Sequence, residues 1–81
     1  MKGVVTRIGP NGMVAISRGG EYTVIEPTSG ESIDVGDQFS WQTDSLGHDI
    51  YTNVTKGTRI TVMVQDHCDL QVADRLLDGR D

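Results

Sequence analysis

Turn-forming clusters recur at intervals of roughly ten residues along this chain. They are Gly9-Pro10-Asn11-Gly12, Arg18-Gly19-Gly20-Glu21, Pro27, Gly36, Gly47 and Lys56-Gly57-Thr58. Proline presets φ, and Gly and Asn accept positive φ, so each cluster reverses the chain readily. The pieces between them are short for helices but the right length for strands. This spacing, more than any other feature, limits what the chain can become.

The pieces are also rich in Val and Ile. Lys2 to Ile8, Met13 to Ser17 and Tyr22 to Glu26 read as three strands in a meander. In the first, Val4 and Val5 compete for the interior. A polar loop and the bend Ile33-Asp34-Val35-Gly36-Asp37 lead into a strand over Gln38 to Thr43, where Phe39 and Trp41 alternate with polar residues. Trp41 is expected in the core beside Phe39; the other reading is an exposed anchor for a partner. Ile50, Thr52 and Val54 give a fifth strand, which leaves Tyr51 on its outer side as the exposed aromatic. Ile60, Val62 and Val64 form the clearest inward triplet.

Only the C-terminal segment reads as helix, over about 68–78. Asp66 or Asp69 can cap its N-terminus, and Gly79 can stop it. Leu70, Ala73 and Leu77 share its apolar face, with Leu76 beside them. Such a helix is too short to stand alone and must dock on the sheet. The expected fold is a single all-β domain over residues 1–81: a five- to six-stranded OB-like barrel, or an SH3-like barrel, with one short C-terminal helix.

Composition narrows the function classes. The chain has 81 residues, room for one domain. Seven basic against twelve acidic residues give a net charge of −5, which disfavours indiscriminate attraction to phosphate backbones or anionic lipid. One cysteine, Cys68, cannot make an internal disulfide. There is no apolar run of signal-peptide type near the start, and none long enough to span a bilayer. The expected setting is the cytoplasm, with no membrane partner.

The opening Gly3-Val4-Val5-Thr6-Arg7-Ile8, followed by Gly12-Met13-Val14-Ala15-Ile16, resembles the start of cold-shock domains. Val35-Gly36-Asp37-Gln38-Phe39 resembles a late-strand entry in RNA-binding barrels of the oligonucleotide/oligosaccharide-binding (OB) type. These stretches make up about a fifth of the chain. The chain as a whole resembles short uncharacterised bacterial proteins with a Leu-Gly…Tyr-x-Asn-x-Thr-x-Gly segment, here Leu46-Gly47 through Gly57. The cold-shock likeness implies a small barrel. It also implies base stacking on surface aromatics, but Arg7, Met13 and Ala15 stand at the matching positions. Each missing platform forfeits about 1–3 kcal/mol per base.

Residues with chemical potential are few. His48, His67 and Cys68 lack a zinc-like spacing. Ser45-His48-Asp49 and His67-Cys68-Asp69 contain triad residue types, but triads are made by geometry and not by adjacency. Asp34 and Asp37 are accounted for by turn formation. No cofactor or metal site and no catalysis is expected. The speculative ligand-binding set is Lys2, Arg7, Arg18, Lys56 and Arg59 with Tyr51. The chain reads as a non-catalytic binding or interaction module, with a homodimer or another protein as partner. The alternative is weak binding of single-stranded nucleic acid through a local basic face.

Overall fold

The computed structural model describes residues 1–79. Six strands close into an antiparallel barrel: β1 (Lys2–Ile8), β2 (Val14–Ser17), β3 (Tyr22–Pro27), β4 (Gln38–Ser40), β5 (Gly47–Asn53) and β6 (Thr58–Cys68). Round the barrel they run β1-β2-β3-β6-β5-β4. One helix, α1 (Leu70–Asp78), follows β6 directly. This is the all-β small barrel with a C-terminal helix that the turn spacing predicts, at the upper end of the expected strand count. No helix among the described residues is long and apolar enough to cross a membrane.

Two apolar cores lie on opposite sides of the barrel wall. The inner one contains Val5, Val14, Ile16, Ile25, Phe39, Trp41, Tyr51, Ile60, Val62 and Val64, with Ile33 of the β3–β4 connection packed against it. The outer one joins Ala15 and Val24, from the outside of β2 and β3, to Ala73 and Leu77 of α1. Full burial of a Leu77-sized side chain stabilises by about 1.5–3 kcal/mol, enough to hold a helix that has little stability of its own. Asp69 caps α1 by accepting from Val72 N at 2.9 Å, and Gly79 ends it in the left-handed conformation. At Gly9 the helix comes so close that a Cβ would lie 2.5 Å from the Leu77 carbonyl oxygen.

Two bulges set which side chains meet the helix. In β1, Val5 pairs with Ile16 and Arg7 with Ala15, so Thr6 is an extra residue. Val5 therefore points inward, settling its competition with Val4, while Arg7 turns outward beside Ala15. In β6, Ile25 pairs with Val64 and Val24 with Asp66, so Gln65 is extra. Beyond that point His67 stays with inward-facing Thr23, and Cys68 sits with Tyr22 against the outer core.

Several expectations are corrected. Tyr51 is not an exposed aromatic: it is 0% exposed, and Ile50 and Val54 face out instead. The reason is register, since Tyr51 pairs with Ile60 and Asn53 with Thr58, in phase with the inward triplet of β6. Leu70 is 52% exposed, because it opens the helix before the docked turns that carry Ala73, Leu76 and Leu77. The helix begins at Leu70 and not 68, because the β3–β6 ladder continues to the Tyr22–Cys68 pair. β4 ends at Ser40, short of Thr43, and Trp41 then exchanges backbone contacts with Met1.

Candidate functional site

β5 runs between two polar clusters, one at each end of the barrel. At its Asn53 end, Asp37 is only 5% exposed. Its Oδ2 accepts from Asn53 Nδ2 at 2.8 Å, Lys56 Nζ at 2.8 Å and Asp34 N at 2.9 Å. Lys56 also reaches Asp34 Oδ2 at 2.6 Å. The Lys56 ammonium, helped by the Asp34 N–H and the Asn53 amide, lowers the Asp37 carboxyl from 3.8 to about 2, against the opposing effect of burial. The neighbouring backbone is tied in as well, with Val5 N donating to Asp37 O and Gln38 N to Thr55 Oγ1. Asp34 and Asp37 thus pin a seam between β1, β4 and the β5–β6 turn.

At the Gly47 end, Asp44 accepts two bonds from the Arg18 guanidinium, at 2.6 and 3.0 Å, and one from Trp41 Nε1 at 3.1 Å. Arg18 first, then Trp41, lowers the Asp44 carboxyl. Arg18 lies 5.6 Å over the Trp41 ring, and Trp41 stacks on Tyr51 with centroids 4.7 Å apart. His67 Nε2 lies 2.9 Å from the Asp44 carbonyl, which can only accept, so that nitrogen carries the proton. Nδ1 is then free to accept from the Thr23 hydroxyl at 2.8 Å. Thr23 is fully buried, so this pair ties β3 to β6 inside the barrel. Burial, then Asp49 and Asp44, raises the Tyr51 phenol, whose hydroxyl has no partner in the structure.

The five cations of the expected basic set are dispersed. Arg7 is held by Asp74 and Asp78 of α1, Arg18 by Asp44, and Lys56 by Asp34 and Asp37. Each of these three therefore acts as an internal clamp. Lys2 and Arg59 make no ion pair among the described residues. They share the outer wall of β4 and β5, flanked by the Lys2 end of β1 and the Thr58 end of β6, away from the part that α1 covers. His48 also faces out, on β5 opposite Met63, well apart in register from His67. Among the described residues no group of three or more His, Cys, Asp or Glu could hold a metal ion.

The uncovered wall carries two hollows. One, of about 450 Å³, lies beside Lys2, Val4, Gln38, Ser40 and Val54. The other, of about 330 Å³, lies beside Thr43, Asp49, Ile50, Thr52 and Arg59. Sequence reasoning missed Val4, Val54, Ser40 and Asp49 here. The phase of β5 was the missing signal, since it sends Ile50, Thr52 and Val54 outward. No family model, curated protein or solved structure matches the chain.

Proposed function

We propose that this protein is a non-catalytic binding module that meets its partner on the outer wall of β1, β4, β5 and β6. The observation that carries this reading is the placement of Lys2 and Arg59, without ion pairs among the described residues, beside the two hollows. Arg7, Arg18 and Lys56, by contrast, are spent on ion pairs that hold the barrel and its helix together. OB barrels bind through a sheet face that includes their second and third strands. Here the outside of β2 and β3 is taken by α1, so an OB-like use of the wall shifts to the opposite side. A reducing compartment such as the cytoplasm suits a chain with one thiol, Cys68, whose ionisation burial opposes.

An ¹⁵N-HSQC screen of the whole protein with short acetylated peptides tests this. Shifted amides should cluster on Lys2–Val4, Gln38–Ser40, Thr52 and Arg59. Shifts confined to α1 or to the barrel ends would remove the proposal.

Single-stranded nucleic acid is the second reading, favoured by the same two cations. Three of the five expected cations are neutralised by carboxylates, and the wall offers no aromatic platform. A titration with oligothymidylate should show little binding at about 50 mM salt and less at about 200 mM. Tight binding at the lower salt would reverse the order of the two readings.

A further inference from the structure

Cross-strand pairing brings four residues of the uncovered wall into a single row. Lys2 pairs with Ser40, Ser40 with Thr52, and Thr52 with Arg59. Cations stand at both ends and hydroxyls between them. Adjacent strands lie about 4.8 Å apart, so the row extends about 14 Å. Ser40 borders the first hollow and Thr52 the second, so the two hollows adjoin across this pair. Val4 and Val54 supply apolar surface at the Lys2 end.

Resting on the binding-wall reading, we infer that the row is a docking track for an extended acidic peptide. The peptide carries two carboxylates four residues apart, one against Lys2 and one against Arg59. An extended chain advances about 3.4 Å per residue, so four residues cover about 14 Å, the length of the row. An apolar side chain between the carboxylates, on the same face of the peptide, fills the Val4–Val54 hollow.

Two features favour this occupant. The two cations complement carboxylates, on a protein whose other charges are mainly acidic. The row has no ring on which a base could stack. A second copy fits poorly, because a two-fold axis over the row sets cation against cation.

The probe is a fluorescein-labelled peptide, Gly-Ser-Glu-Ser-Val-Ser-Glu-Ser-Gly, which sets Val on the same face as both Glu, titrated into the full chain and read by anisotropy at about 50 mM salt. Saturable binding is expected, with shifted amides along the row in ¹⁵N-HSQC spectra. Lys2→Gln and Arg59→Gln should each weaken it about two- to fivefold, and the double variant about tenfold. Both side chains are exposed, so the variants should keep the wild-type circular-dichroism spectrum. A control peptide with Gln in place of both Glu should bind about tenfold more weakly. No saturation, or binding that the double variant leaves unchanged, overturns the inference. Tighter binding of oligothymidylate at the same amides overturns the peptide but keeps the wall. Shifts only on α1 or at the barrel ends overturn both.

Discussion

The two ends of the barrel are each closed around an aspartate, and they differ in how much water they admit. Asp37 is nearly sealed, and three donors converge on one of its oxygens. The Asp44 side chain is 44% exposed and is gripped from outside by Arg18. A sealed charge depends on its full set of donors, because each lost partner leaves a desolvated group unmatched. An open charge can turn to water. The first cluster is therefore a structural requirement of the fold, and the second an adjustable lid over the Trp41–Tyr51 stack.

The sharpest test of this contrast is a pair of alanine variants. Asp37→Ala should cost about 2–4 kcal/mol, at the low side for a buried pair because Lys56 keeps some contact with water. For a domain of this size that lowers Tm by about 8 °C or more. Asp44→Ala should cost about 1 kcal/mol or less. Equal losses in thermal unfolding would erase the distinction.

Acid titration comes next. The Asp37 carboxyl is lowered in the folded state, so its stabilisation is complete above its ordinary value of 3.8 and disappears as pH falls through about 2. The urea midpoint of the wild type should fall across that window. Asp37→Asn should flatten much of the fall, whereas Asp44→Asn should flatten it less. Parallel curves for wild type and Asp37→Asn would show that the sealed end is not the acid-sensitive one.

Salt should separate the ends further. Arg18→Gln should cost a few tenths of a kcal/mol at low salt, shrinking toward zero at about 0.5 M, where the Debye length is only a few ångströms. The cost of Lys56→Gln should persist, since its carboxylate partner Asp37 is shielded. The smallest effect is optical. Arg18→Gln should raise acrylamide quenching of Trp41 with no change in the circular-dichroism spectrum, since only the lid over the ring is lost.

Much of the fold was legible because alternation is a local property. Ile60, Val62 and Val64, and Phe39 with Trp41, face inward as their spacing predicts. The same rule misplaced Tyr51. Hydropathy alone favours Ile50 and Val54 for the interior, but Asn53 must face in to reach Asp37, and that partner lies sixteen residues away. The basic residues could be named in advance but not sorted. Whether a cation is free depends on carboxylates such as Asp74 and Asp78, which the chain brings to Arg7 only after folding. The Lys2–Arg59 row was equally hidden, since it is assembled from four strands.

The extra residue at Thr6 has a consequence for any attempt to shorten or graft this scaffold. Removing that single residue would keep Arg7 outward beside Ala15, in plain alternation with Val5; ironing out the bulge with Thr6 kept would instead set Thr6 beside Ala15 and swing the Arg7 guanidinium into the apolar lumen, away from the acids of α1. The irregularity at this point is a coding element in its own right: whether the strand bulges, and not its length alone, decides whether the helix finds its anchor.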